Sequence, residues 1–338
     1  MSKLQMYKVE DDEAGIRLDR WFKRHFPSLS HGQLEKMLRT GQIRVAGKRI
    51  ESATRLEAGQ DIRVPPQAIE MPKTEIAKKS ARDANDIKKM ILFEDEDVLV
   101  LNKPAGFAVQ GGTGLINSID HMLASLADEK HGKPKLVHRL DRDTSGVLLV
   151  ARTTFAAMRL SESFRNRETQ KIYWGVTLGV PKPERGRIEA ALVKRGETMI
   201  IAGKKDMEQS RLREAQSSRD GTTTAKNAVT VYQNMERAEY QAAFVAMWPV
   251  TGRTHQLRAH MAHIGTPLLG DRLYGMPTPE GFPSQDIGKG LHLHARKLII
   301  PHPRHGVINV TAPLGVEMRK TWKWFGFNPT ADADFSDA

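Results

Sequence analysis

The densest group of chemically capable side chains is His138-Arg139-Leu140-Asp141-Arg142-Asp143-Thr144-Ser145-Gly146, which runs directly into the apolar Val147-Leu148-Leu149-Val150-Ala151. The apolar run reads as a buried strand. Two carboxylates, two guanidinium groups and an imidazole at the mouth of a core strand must be paired, because charge is expensive to bury alone. One reading is structural: a solvated turn whose Asp residues cap local backbone and whose Arg residues answer them. The other is chemical: a carboxylate kept ionised by a fixed cation and available to form a covalent bond. A second such string, Thr251-Gly252-Arg253-Thr254-His255-Gln256-Leu257-Arg258, follows an apolar strand that stops at Pro249.

Composition narrows the setting for that chemistry. The 338 residues suffice for one large domain and one small one. With 39% hydrophobic and 27% charged residues the chain reads as a globular protein. It has no cysteine, which removes disulfides, thiolate nucleophiles and thiolate metal sites. Residues 1–15 are polar and acidic, and no run approaches the roughly 18 apolar residues of a membrane span. No membrane association and a cytoplasmic location are therefore expected. The net charge of +12 suits a polyanionic partner. Between Gly15 and Arg49 nine Lys/Arg face two acids, so over half of the excess sits in a short N-terminal patch.

The first string matches, at every defined position, the H-R-L-D-x-x-T-S-G signature of the RluA-type pseudouridine synthases, and the chain resembles that family elsewhere. Glu94 to Gly106 follows its E-D-x-x-V-L-V-L-N-K-P-x-G pattern. Lys171-Ile172-Tyr173 matches its K-x-Y, and 226–232 matches its K-x-A/S-x-T-x-Y/F, with Asn227 in place of the usual Pro. The run 251–275 follows its T-G-R-T-H-Q-L-R-x-H and G-x-P-L-x-G-D-x-x-Y-G signature. Residues 291–298 match its late strand. The string 142–151 and the loop 111–115, with Gln110 where the family carries His, are closest to the branch that modifies bacterial large-subunit ribosomal RNA.

The resemblance implies an RNA pseudouridine synthase, an isomerase that moves uracil from a nitrogen–ribose to a carbon–ribose bond. Its catalytic residues would be Asp141 as the carboxylate, Arg253 as the cation holding it charged, and Tyr173 against the uracil. Adding to the anomeric carbon and assisting an elimination both remain open to the carboxylate. A base inside folded RNA must be flipped out, and Arg139 has the planar cation to fill the gap. If the chain is extended there, the spacing puts Arg139 and Asp141 on one face. His138, Asn102 and Lys103 would border the cleft and contact RNA. No metal or organic cofactor and no obligate protein partner are implied. The loop 111–115 lacks the pattern of a phosphate-binding loop. His255, His260 and His263 lack the spacing and intervening Glu of a zinc hydrolase, so structural or RNA-facing roles fit them better.

The first 66 residues read as a unit. Apolar positions 18, 21, 22 and 26 mark one helix. Ser30 is placed to cap a second, 31–40, that ends at Gly41. Residues 43–50 read as a hairpin and 56–64 as a further strand. This order resembles the alpha-L RNA-binding module, which implies that Arg17, Ser30, His31, Lys36, Arg39 and Arg44 contact phosphates. Residues 67–89 read as a linker with a short helix near 77–85, and 181–221 as hairpins and exposed loops. The expected whole is α+β. A pseudouridine synthase domain over 90–328, with a central mixed, mainly antiparallel sheet and a catalytic cleft, follows the small module. An acidic, disordered tail covers 329–338. The competing expectation is a catalytically silent RNA-binding or ribosome-assembly protein with the same fold.

Overall fold

The computed structural model describes every residue except 1–4, 27–28, 30, 67–81, 112–117, 129, 216–223, 240 and 336–338. It divides into two compact units, 1–85 with 110–125 and 86–109 with 126–338.

In the first unit α1 (Leu18–His25) and α2 (His31–Arg39) lie beside a three-stranded antiparallel sheet. Its strands are β1 (Gln5–Lys8), β2 (Arg44–Val45) and β3 (Asp61–Val64), in the order β1-β3-β2. Leu18, Trp21 and Phe22 form the buried stripe of α1, and Leu34 and Leu38 that of α2; both close on Ile43, Ile62 and Val64. Gly41, at φ +70°, takes the left-handed turn after α2. Two expectations change. The polar stretch Gln5–Lys8 is a strand, because an edge strand needs little apolar content once its backbone pairs with β3. The hairpin over 43–50 is reduced to a tight turn closed by a Val45–Lys48 bridge, and the ladder partner of β2 is β3. A helix, α3, covers 82–88; most of the rest of the expected linker lies outside the described residues. Ser118 caps the short α4 (Ile119–Met122) by accepting from the His121 amide at 3.2 Å.

The second unit is built on a ten-stranded mixed sheet. Its strands in chain order are β4 (Ile91–Glu94), β5 (Val98–Lys103), β6 (Lys135–Leu136), β7 (Ser145–Ala151), β8 (Gln170–Leu178), β9 (Arg185–Glu189), β12 (Val229–Ala238), β13 (Ala242–Pro249), β14 (Leu293–Pro301) and β15 (Val307–Thr311). The spatial order is β4-β5-β7-β14-β8-β13-β12-β9, with β15 on β14 and β6 on β7. Among the described residues only the β7–β14 pairing is parallel, at Ser145–His294 and Gly146–Ala295. That short junction is where the Asp141 string enters the sheet. Gly146 is obligatory there: at φ +109° an added Cβ would lie 2.2 Å from the Ala295 carbonyl.

Both faces of the central strands are covered, so β13 is apolar at nearly every position. Its Phe244 faces Trp174 of β8 and Trp322 of α8 (Val316–Phe325). Its Val245 and Met247 face Leu257 and Met261 of α7 (Gln256–His263). Ala156 and Leu160 of α5 (Thr154–Arg165) close the far end of the sheet over Val147 and Leu149.

The segment expected as hairpins and loops holds the hairpin β10 (Leu192–Arg195) and β11 (Thr198–Ile201), then a helix, α6 (Lys204–Ala215). That helix carries no apolar stripe that periodicity would reveal. Its start is organised by Asp206, which accepts from the Gly203 amide and pairs with Arg195. The tail expectation is corrected over 329–335: Phe335 is 6% exposed and packs with Trp248, so one aromatic outweighs the acidic composition around it.

Candidate active site

The turn carrying Asp141 is clamped from beneath. Thr144 donates its amide to the Asp141 carbonyl at 3.2 Å. Gly106 N–H and the Lys103 ammonium both donate to the Arg142 carbonyl, at 2.9 and 3.0 Å, and Arg142 Nε returns a bond to the Gly106 carbonyl at 3.2 Å. Lys103 also donates to the carbonyls of Pro104 and Phe107, both at 2.9 Å, and has 0% exposure. Burial brings its pKa down to about 8, partly opposed by the charges of Asp143 and Asp141. Asn102 donates to the Pro313 carbonyl at 3.0 Å. The expectation that Lys103 borders the cleft and touches RNA is therefore corrected, since its ammonium faces backbone. Neither Lys103 nor Asn102 lines the cavity that contains Asp141.

His138 is also turned inward. Its Nε2 accepts from the Leu149 amide at 2.8 Å, at a place where β7 is passing from its pairing with β14 to its pairing with β6. Burial, with Lys171 nearby, lowers its pKa to about 3, so the ring is neutral. It completes a strand ladder, and its ring also lines the cavity that contains Asp141.

Arg139, Asp141, Tyr173 and Arg253 do meet, in a cavity of about 560 Å³. Leu140 is buried between Arg139 and Asp141, as an extended backbone requires. The Asp141 carboxylate is 21% exposed and is the only carboxylate among the described residues lining this space. Arg165, Arg167, Lys171 and Arg258, none of them singled out from sequence as site residues, add to its positive walls. Burial lowers the Lys171 pKa. Burial, then the charge of Asp141, pushes the Tyr173 phenol far above its ordinary range. The hydroxyl therefore stays protonated, and it makes no hydrogen bond to a described residue.

The expected Arg253–Asp141 pair does not form. Arg253 Nε instead donates to the Asn227 carbonyl at 3.1 Å. Its turn is locked by Gln256, whose Oε1 accepts from Thr251 Oγ1 (2.7 Å) and the Arg253 amide (3.0 Å) while its Nε2 donates to the Val229 carbonyl (2.8 Å). The Asp141 carboxylate is instead approached by His255, with Nε2 at 4.0 Å from Oδ2. His260 is internal, its nitrogens bonded to Thr230 Oγ1 and the Ala190 carbonyl. In the first unit Lys36 and Arg39 are exposed. Arg17 is bidentate to Asp19, His31 approaches Glu35 at 3.5 Å, and Arg44 braces the carbonyls of Gly41 and Gly47. Ser30 lies outside the described residues.

The profile of RNA pseudouridylate synthases matches residues 97–263. The ribosomal large subunit pseudouridine synthase C of Vibrio vulnificus (strain CMCP6) is 31% identical over 94% of this chain and 96% of its own length. The chain belongs to the RNA pseudouridylate synthase family. The Escherichia coli (strain K12) protein of the same name is 34% identical over 94% of this chain and 95% of its own. Human RNA pseudouridylate synthase domain containing 4 superposes with a TM-score of 0.61 at 28% identity, covering 74% of this chain and 98% of that one. Like its family, this pseudouridylate synthase is an isomerase, and the α+β fold with its mixed sheet is the family's fold.

His255 also lines the cavity, and Tyr274 lies behind it with Oη 3.0 Å from Nδ1; the second signature contains both residues but not their contact with the Asp141 string.

Proposed function

We propose that this chain converts uridines of large-subunit ribosomal RNA to pseudouridine, with Asp141 as the nucleophile. The substrate reading is supported by the relatives named for it, which match nearly the whole chain. The observation that carries the catalytic reading is a carboxylate that stands alone among the described residues of a cavity to which Arg139, Arg165, Arg167, Lys171 and Arg253 bring positive charge. Such walls attract an RNA backbone, and a single carboxylate suffices for an isomerisation that needs no redox step. The reaction therefore calls for no metal or organic cofactor.

Tyr173 offers a neutral phenol and a flat ring to the detached uracil. Arg253 has terminal nitrogens with no ion-pair partner among the described residues, and it supplies positive charge to the same cavity. Flipping a uridine out of its stack costs a few kcal/mol, and the exposed Arg139 takes the place the base leaves. Residues 1–66 act as an alpha-L-like module in which Lys36 and Arg39 meet phosphates. Residues 67–89, with α3 among them, join it to the catalytic domain, which takes in 90–328 and the packed 329–335. The enzyme works in the cytoplasm without an obligate protein partner. No helix among the described residues is long and apolar enough to cross a membrane.

Asp141→Asn tests the assignment. It should keep its melting profile and RNA affinity and make no pseudouridine; product from this variant overturns the nucleophile. Mapping pseudouridine in cells with and without the gene tests the substrate, with the loss expected in large-subunit ribosomal RNA and not in transfer RNA.

A further inference from the structure

His255 opens α7 with φ +50°, a left-handed backbone that is uncommon for a residue other than glycine, though histidine enters it more readily than most. Non-glycine residues persist there only where their surroundings impose it, and such places cluster at functional sites. The surroundings are specific. Nε2 lies 4.0 Å from Asp141 Oδ2. Nδ1 lies 3.0 Å from Tyr274 Oη, which also accepts the Met199 amide of β11 at 2.7 Å. The loop carrying Tyr274 is itself pinned. Asp271 accepts the amides of Leu273 and Tyr274 and a bidentate pair from Arg258, whose guanidinium lies 5.1 Å over the Tyr274 ring.

We propose that His255 is a positioning residue for Asp141, held by Tyr274 as the tautomer that presents Nε2–H to the carboxylate; the proposal rests on the reading of Asp141 as nucleophile. A phenol has one proton. The Met199 amide fills an acceptor position on Oη, and the hydrogen-bonded acceptor within reach of the Tyr274 O–H is His255 Nδ1. The imidazole proton then sits on Nε2. At 4.0 Å this N–H orients the carboxylate by charge and dipole without closing a hydrogen bond that would commit its lone pairs. Hairpin β10–β11 thereby reaches the nucleophile through three side-chain and backbone groups.

The charged and titratable groups facing the ring are Asp141, Arg258, Asp271, Arg139 and Tyr274. Burial lowers the pKa of His255, Asp141 and Asp271 oppose this, and Arg258 and Arg139 add to it; the net shift is downward. The ring is thus neutral at pH 7. Protonating it turns the 4.0 Å approach into an ion pair that captures Asp141, so turnover should fall on the acid side.

The test follows single-turnover rate and RNA affinity between about pH 5 and 8 for the wild type, Tyr274→Phe, His255→Asn and Asp141→Asn. Asparagine tolerates the left-handed backbone, and phenylalanine keeps the ring beneath Arg258. A reacting group displaced by about 1 Å can lose on the order of a hundredfold in rate, so both relay variants should lose about 10- to 100-fold with affinity unchanged. Tyr274→Phe removes a bond that favours the neutral ring, so its acid limb should move to higher pH; in His255→Asn that limb should disappear. Unchanged rates in both relay variants, or losses confined to affinity, overturn the relay. Should His255→Asn fail to fold, Tyr274→Phe decides alone by the same two readouts. An inactive Asp141→Asn beside unimpaired relay variants rejects the relay and leaves the nucleophile standing; an active Asp141→Asn rejects the nucleophile itself.

Discussion

Lys103 illustrates how the residue types of a motif and their duties can part company. In a Lys-Pro turn beside a basic cleft, a lysine reads as a phosphate contact, yet here its ammonium is enclosed by the carbonyls of Pro104, Phe107 and Arg142. The last of these belongs to the residue after Asp141, so the lysine fixes the height of the turn that carries Asp141. Replacing it by methionine leaves three carbonyls short of a donor, and leaving a buried polar group unsatisfied costs about 1–3 kcal/mol. The pH dependence has a definite sign. With the folded pKa near 8, below the ordinary 10.5, the unfolded chain binds more protons than the native one between those values, so the lysine's contribution to stability grows as pH rises through that window. The difference in unfolding free energy between wild type and Lys103→Met should therefore widen from pH 8 upward in denaturant titrations. A constant or shrinking difference means the ammonium is solvated.

At the scale of elements, β7 is the strand on which the site hangs, and it is stitched by two neutral histidines. His138 takes the Leu149 amide. His294 Nδ1 lies 2.8 Å from Ser145 Oγ, with Nε2 3.2 Å from the Ala312 carbonyl. Burial depresses both rings, to about 3 and about 4, so below their ordinary 6.5 the unfolded chain takes up protons that the fold refuses. Stability should fall with pH through that window, by about 1.4 kcal/mol per pH unit for each ring once the unfolded histidine is charged. Urea melts of wild type and His138→Gln at descending pH check this; between pH 6 and 4 the variant's slope should be shallower by up to about 1.4 kcal/mol per pH unit. The apolar run 147–151 announced β7, and the signatures named residues that share one cavity. The stitches were illegible, because each joins positions far apart in the chain and neither histidine differs locally from an exposed one. For the same reason His255 could not be tied to Asp141 before the turn at 251–255 was seen folded over it. Helix α6 escaped notice because a helix without an apolar stripe leaves no period to read, and 329–335 because a lone Phe335 carries the packing.

For the whole molecule, the distribution of charge matters more than its total. Positive side chains line the cavity around Asp141, and a second set projects from α2 of the first unit, where Lys36 and Arg39 are exposed. If the second set meets RNA backbone, each phosphate neutralised releases condensed counterions, and the slope of log affinity against log salt steepens by about 0.7–0.9 per contact. The double variant Lys36→Gln, Arg39→Gln should then bind more weakly at low salt, with a slope shallower by about 1 to 2. Its rate at saturating RNA should match the wild type, because such contacts serve binding. Filter-binding titrations across a salt series, paired with single-turnover assays, separate the two quantities. An unaltered slope would show that α2 faces away from the RNA, and a lowered saturating rate would show that the first unit does more than concentrate substrate.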